Sequence, residues 1–408
     1  MDFKDSPEQA KFRADVRQWL EANATPASND RKSGDQSERY EQAKRWYKKV
    51  YDAGYACLTW PKEYGGAGLS QIHSVIWSQE VSKYDEPDGF FVIGQGNCGP
   101  ALMHFADEEQ KKQYLPRMAS AEDVWCQLFS EPSAGSDVAG LRTRAEQQED
   151  GKWLINGQKI WTSGAQYSDY GVILTRTDPN VSKYRGLTLF WIDMKQPGVE
   201  VRPIKQMNGG QEFNEVFFND AVVTDAQRLG EVGGGWGGAL LILMNERLAI
   251  SGTAPDGFKE LWNVVKTVEL DGQPLHQDPI VRERVAHWYA KHSGLKNTTN
   301  RMLTAVSQGG IPGAEAALGK LVGAAMYQDI GNFVMQVLGP MGASWHEDLA
   351  PMQGQFQNQV MMGPGIRLAG GTDEVMRNII AEQVLGLPQE PRADKGMPFK
   401  EIPTGNQA

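Results

Sequence analysis

Cysteine is scarce in this chain, and the little there is forms no pattern. Cys57, Cys98 and Cys126 are far apart, odd in number and never in a CxxC pair, which argues against a disulfide framework or a cysteine zinc site. The six histidines include no HExxH, and His287 and His292, five apart, do not share a helix face. No metal site is expected. Long apolar runs are missing as well. The longest, 239–244, falls far short of the ~20 residues that a bilayer span requires, and Met1-Asp2-Phe3-Lys4-Asp5 lacks the apolar core of a signal peptide. Nor is there any basic excess: 41 Lys and Arg stand against 51 Asp and Glu, a net charge of −10 without a Lys/Arg block. That balance argues against a nucleic-acid binder or a binder of anionic membranes. The expectation is a cytoplasmic chain in which any anion site draws on local positive potential.

What is present is ordinary globular material, 40% apolar and 23% charged, which argues against wholesale disorder. At roughly 150 residues per domain, the length predicts two or three domains. Over 1–124 the rhythm is helical: Phe12, Val16, Trp19 and Leu20 recur at spacings of three and four, as one buried stripe requires. Over 125–235 the period shortens. Trp153-Leu154-Ile155, then Asn156-Gly157, then 158–161 read as a hairpin with a two-residue turn. Short apolar runs follow at 172–174, 187–192, 199–204 and 216–218, between Asp-Pro, Pro-Gly and Asn-Gly-Gly breakers. Over 236–408 the helical rhythm returns, with candidates at 240–250, 258–268, 279–295, 314–338 and 372–385, the last closed by Gly386 and Pro388. The tail beyond Arg392 is polar and reads as loosely held or packed on a partner.

Three segments carry candidate chemistry. Gly233 and Gly238 frame a formal GxGxxG, but no strand precedes it and no alternating βα series follows, so a dinucleotide fold is rejected. Leu128-Phe129-Ser130-Glu131-Pro132-Ser133-Ala134-Gly135-Ser136-Asp137 is a small-residue, hydroxyl-rich loop directly after a strand. It is either an ordinary Ser/Gly loop or one whose backbone N–H groups and hydroxyls approach a phosphate or a planar ring. Ala369-Gly370-Gly371-Thr372-Asp373-Glu374 leads into the last helix, with Thr372 as its N-cap and two acids in its first turn.

Taken together and in order, the FSEPSAGSD loop, INGQKIWTSG, Asn245-Glu246-Arg247, Gln336-Val337-Leu338-Gly339 and Gly371-Thr372 resemble the acyl-CoA dehydrogenase family over nearly the whole chain. The resemblance implies an α+β multidomain fold: an N-terminal helical domain, a middle β-barrel domain and a C-terminal four-helix bundle. It also implies non-covalent FAD, an acyl-CoA thioester substrate, electron-transferring flavoprotein as acceptor, and a dimer or tetramer. By the same resemblance, Gln127, Phe129 and Ser130 would lie along the flavin, with Trp161, Thr162 and Ser163 flanking its ring. On chemistry alone, Trp161 reads equally as a barrel-core tryptophan. Gly135 and Ser136 would approach the CoA arm or the flavin pyrophosphate. Gln336 and Gly339 would reach the FAD of a neighbouring subunit, and Thr372 and Glu374 would meet a polar cofactor group at the helix end.

The reaction needs a base for the α-proton and donors for the thioester oxygen. Where many relatives place the base, this chain has Gly370, which offers only its backbone N–H. In isovaleryl- and long-chain-type relatives the base lies on the first helix of the C-terminal domain, and Glu246 falls there. The bland alternative is a surface glutamate paired with a cation. Arg247 resembles a family arginine near the CoA end of the site. Asp373 and Glu374 are rival acids whose ionised forms a helix N-terminus stabilises, which makes them weak bases. A second departure concerns the family's Arg-x-Thr-Phe-Gly segment, which grips the FAD pyrophosphate across the subunit interface. Here the stretch reads Val268-Glu269-Leu270-Asp271-Gly272-Gln273-Pro274. Either Arg282 or Arg301 replaces the missing cation, or the chain resembles heteromeric members in which two related chains share fewer flavins. The leading expectation is α,β-dehydrogenation of an acyl-CoA to a trans-2-enoyl-CoA. The alternatives are a non-catalytic partner subunit and a flavin oxidase.

Overall fold

Capping chemistry starts the first helix. Ser6 Oγ accepts from the Gln9 backbone N–H while the Gln9 side chain accepts from the Ser6 N–H, satisfying two donors at the head of α1 (Pro7–Asn23). The computed structural model of the chain describes residues 5–26, 36–87, 89–253, 256–270, 272–307, 313–344 and 351–403, with the side chains of 247–253, 303, 306, 307, 351 and 353 also outside the described set. After α1 come α2 (Gln36–Asp52), α3 (Gln71–Val81), a π-helical turn (Gly94–Cys98), α4 (Gly99–Phe105) and α5 (Glu108–Ala119). Eight strands follow: β1 (Trp125–Leu128), β2 (Arg144–Gln147), β3 (Trp153–Ser163), β4 (Tyr170–Arg176), β5 (Leu187–Asp193), β6 (Val199–Pro203), β7 (Phe213–Val223) and β8 (Arg228–Leu229). The chain returns to helix in α6 (Gly235–Thr253) and α7 (Phe258–Thr267), forms a small ribbon of β9 (Glu269–Leu270) and β10 (Gln273–Pro274), and continues as α8 (Pro279–Ser307), α9 (Ala316–Leu338), α10 (Gln355–Leu368) and α11 (Asp373–Ile379). Helix, sheet, helix is the order found.

Two compact units emerge, and neither is continuous in sequence. One comprises Met1–Gly34, Val75–Asp85 and Arg247–Gln389; the other comprises Asp35–Ser74, Glu86–Glu246 and Glu390–Ala408. The second holds an eight-stranded sheet of order β6-β7-β3-β2-β4-β5-β8, with β1 pairing β4. Successive residues of β4 and β5 serve opposite faces. Val172, Leu174, Leu187 and Leu189 join a core with Trp60, Leu102, Leu115 and Trp125. Ile173, Phe190 and Ile192 join Leu128, Ile155, Val216 and Phe218 in a second core. This second core is almost entirely strand-built and draws on most of the sheet, so the sheet curls around it like a barrel. Burial on both faces is why these strands read as unbroken apolar runs.

The expected hairpin at Asn156-Gly157 is not there. β3 runs unbroken through both residues, and Gly157 (φ +150°) lies where a Cβ would come within 2.4–2.8 Å of Thr143. Glycine is required for close approach to the neighbouring segment at Thr143 rather than for a turn. The other unit is helical. Phe258, Leu261, Trp288, Ile330 and Phe356 bring α7, α8, α9 and α10 to one core. Where α9 meets α10, a Cβ on Gly331 would lie 3.0 Å from Gln359, so the glycine sets how closely the two helices approach. Within the same unit Glu80, 2% exposed, is gripped by Arg13, Arg17 and Lys83.

The polar tail corrects its expectation too, because it packs on its own chain. The Phe399 N–H donates to Val181 O at 2.8 Å, and the Lys400 N–H donates to Pro179 O at 3.0 Å. Lys183 pairs with both Asp137 and Asp394.

Candidate active site

The middle of β3 departs from regular pairing where the site residues are. Lys159 opposes Val216 and Thr162 opposes Asn214, so three steps along β3 match two along β7. The extra residue is a bulge, and Trp161 takes φ +61° within it. The residue is 56% exposed, with an edge contact to Phe213 at 6.0 Å. A barrel-core role for Trp161 is therefore excluded. A large flat apolar face, held outward at a conformational cost, is what a planar ligand ring requires. Ser163 beside it is half-buried, whereas Thr162 is 2% exposed with its hydroxyl unpartnered. That burial turns the Thr162 side chain inward and leaves its backbone to meet a ligand on the outer face.

The Ser/Gly loop is anchored from below. The Ile160 N–H donates to Ser130 O at 2.9 Å. Lys159, fully buried, donates to Phe129 O at 3.0 Å and to Glu131 at 2.9 Å. Glu131 also accepts from the N–H groups of Arg142 and Thr143. Burial would raise its carboxyl, but the Lys159 charge and these donors hold it below the usual range. Burial also pulls the Lys159 ammonium down. Sequence reading gave this pair no role, although both residues fall inside the motifs. The Phe129 ring corrects another expectation: it is 3% exposed in the core beside Trp125, so it cannot lie along a bound ring, and only its backbone is left for that. Ser130 is half-buried, while Gly135 and Ser136 are exposed, open to a polar ligand group.

Glu246 is half-buried on α6, one turn from the fully buried Ile242. Its Oε2 accepts from Gln127 Nε2 at 3.3 Å, and Gln127 Oε1 accepts from Asn97 Nδ2 at 2.8 Å. Gln127, expected along the flavin, thus bridges the candidate base to Asn97, a residue that sequence reading missed. The Arg247 side chain lies outside the described residues.

The helical unit carries the remaining candidates. Thr372 caps α11, accepting from the Val375 N–H at 3.2 Å. Glu374 is exposed, and its carboxyl is lowered by a bond from its own backbone N–H and by the Thr372 hydroxyl; such an acid is a poor base. Asp373 is buried against Arg367, a structural role. Gly370 and Gly371 take φ of +64° and +105°, open only to glycine at low cost. Their turn is clamped by Lys320, 3% exposed, whose ammonium donates to Arg367 O at 2.6 Å and to Gly371 O at 2.5 Å. Lys320 was also missed; a lysine inside the apolar α9 was its signal. Gln336 and Gly339 lie exposed at the end of α9.

At the departure from the Arg-x-Thr-Phe-Gly segment stands the β9–β10 ribbon; Asp271 falls outside the described residues. Arg282 lines a cavity of about 550 Å³ with Phe258, Trp262, His276 and Tyr289. Arg301 is exposed on α8. Among the described residues no cluster of metal-ligating side chains occurs, and no helix is long and apolar enough to cross a membrane.

Family models match for the acyl-CoA dehydrogenase N-terminal domain over residues 6–122, the middle domain over 126–221 and the C-terminal domain over 233–385. The chain is 35% identical over 390 residues to acyl-CoA dehydrogenase IpdE1 of Mycobacterium tuberculosis, covering 93% of this chain and 98% of that one. The solved ChsE4-ChsE5 complex from Mycobacterium tuberculosis superposes with TM-score 0.80 at 28% identity, covering 96% of this chain and all of that one. The structure described as Tcur3481-Tcur3483 steroid ACAD gives 0.81 at 27% identity, with 96% and 100% coverage. Three ordered domain matches and a full-length relative above 30% identity establish that this chain belongs to the acyl-CoA dehydrogenase family and is an enzyme of that kind.

Proposed function

We propose that the chain is an FAD-dependent acyl-CoA dehydrogenase in which Glu246 takes the α-proton of the thioester. The observation that carries this reading is the half-buried Glu246 carboxylate held by Gln127, in a chain whose alternative base position is a glycine. Bound FAD would supply the hydride acceptor, so that loss of the α-proton and of a β-hydride leaves a trans-2-enoyl-CoA. The rest falls to the protein. Trp161 offers a face to the ring, Ser130 and Ser163 offer hydroxyls, and the exposed Gly135-Ser136 stretch suits a phosphate or the CoA arm. The Gly370 N–H is the donor we assign to the thioester oxygen, where developing negative charge needs stabilising.

Resemblance to the steroid ACAD favours a bulky, steroid-type acyl chain over a short straight one. Electron-transferring flavoprotein is the acceptor that the family implies. A second reading of assembly draws support from the two-chain neighbours and from the altered 268–274 stretch. In it this chain is the base-carrying member of a heterotetramer rather than a homo-oligomer. FAD per chain in the singly expressed protein distinguishes these two.

The test is anaerobic titration with octanoyl-CoA, isovaleryl-CoA and cholan-24-oyl-CoA. Wild-type flavin is expected to bleach fastest with the steroid thioester. Glu246→Gln should keep its FAD and lose bleaching by at least 10³-fold, on the order of 4 kcal/mol of transition-state stabilisation. Near-normal reduction in that variant removes Glu246 from the role.

A further inference from the structure

Asn97 occupies an unusual place. It is 2% exposed and belongs to the π-helical turn Gly94–Cys98, which leads directly into α4. Such turns insert one residue into a helix and are frequent at functional sites. From there its amide reaches Gln127, on β1, and Gln127 reaches Glu246, on α6. Three separate stretches of sequence meet in one chain of hydrogen bonds.

The polarity of that chain is set from its carboxylate end. An ionised carboxylate only accepts, so the group that Gln127 turns toward Glu246 must be its NH₂. The Gln127 carbonyl then points the other way and needs a donor. A carboxamide turned end for end has nearly the same shape, so packing alone does not select its orientation. Asn97 does, by presenting Nδ2 at 2.8 Å. We infer that Asn97 is a positioning residue for the base: it locks the Gln127 carboxamide so that Gln127 donates to Glu246 instead of opposing it with a carbonyl. This inference rests on the reading of Glu246 as base. The donor that results is neutral and its bond is long, 3.3 Å, so this contact orients the carboxylate while stabilising its charged form less than a charged donor in the same place would. Once Glu246 has taken the α-proton, its remaining carbonyl oxygen can still accept from Gln127.

Asn97→Asp tests the lock, because the new side chain has the same size and, ionised, can only accept. Gln127 must then turn its NH₂ to the introduced carboxylate and its carbonyl to Glu246. With cholan-24-oyl-CoA, or whichever of the three thioesters bleaches the parent fastest, the limiting rate should fall at least tenfold. Half-saturation should stay within about twofold, and FAD per chain should be unchanged. Asn97→Leu, which brings no charge into the buried position, should show a smaller loss of the same kind. An unchanged limiting rate in both variants overturns the inference.

A second measurement needs no substrate. Glu246→Gln can donate to a turned Gln127, so Asn97→Asp should shift the urea midpoint less in that background than in the parent. Additive shifts at positions 97 and 246 overturn the relay. If no thioester bleaches the parent while the shifts remain non-additive, the hydrogen-bond lock stands and the dehydrogenase reading falls.

Discussion

At the scale of single residues, Trp161 combines a strained backbone with an exposed indole, and the flavin contact we propose for it rests on that pairing. A non-glycine residue at φ +61° is unfavourable by about 1 kcal/mol or more, and an indole that is 56% exposed gains little from burial. Folding alone gives no reason for this residue in this bulge; a flat ligand does. Trp161→Gly should therefore change the unfolding free energy of the FAD-free protein by no more than about 1 kcal/mol. Flavin retention on gel filtration should weaken at least tenfold, as expected for loss of about 1–3 kcal/mol of stacking. Unchanged retention would argue against a flavin contact. Trp161 and Glu246 stood out in the sequence as candidates because both lie inside motifs. Asn97 did not: no sequence pattern announces that a π-helical turn will aim an ordinary buried amide at Gln127, 30 residues away.

At the scale of elements, the turn between α10 and α11 depends on a charge from α9. Lys320 spans the glycine pair by holding the carbonyls of Arg367 and Gly371, and Asp373 stands 3.9 Å from its ammonium. Burial pulls the Lys320 pKa down, against the pull of Asp373, so the carbonyls and that acid must be close to keep it charged. Lys320→Met leaves two carbonyls without their cation and Asp373 with Arg367 alone, and should cost about 3 kcal/mol in urea unfolding. Hydrogen exchange at residues 370–372 should accelerate in the same variant. Stability loss without faster exchange there would mean that Lys320 supports the helices but not the turn. The capping part of this region was legible, since Thr372-Asp373-Glu374 is a helix-start signal that needs only local chemistry. The clamp was not, because its lysine lies about fifty residues earlier.

At the scale of the whole molecule, sequence ends return to distant partners. The tail seats Phe399 on the buried Arg176, with the guanidinium carbon 3.6 Å from the ring centroid. Arg176 donates to the carbonyls of Ala139, Leu141 and Lys183, and burial pushes its pKa down to about 10. The tail thereby braces the segment that follows the Ser/Gly loop. Phe399→Ala should lower unfolding stability by about 2 kcal/mol, the value of a desolvated cation–π contact. A change below 0.5 kcal/mol would show the tail to be merely adjacent. The tail read as loosely held or packed on a partner because its composition is polar, and composition says nothing about a single aromatic finding a buried cation.

Local rules settled much of this protein from the amino-acid order alone: the helix start at Thr372, the short apolar runs of the sheet, the small-residue loop, and the acid on α6. Each depends on neighbours a few residues apart, where propensity and capping act. Only tertiary structure decided that Asn156-Gly157 lies within a strand, that the Phe129 ring is core, that the tail folds back, and that Asn97, Gln127 and Glu246 form one line. Those outcomes depend on which distant surfaces exclude water together, and pairing across such separations is set by packing and polar satisfaction that no local pattern encodes.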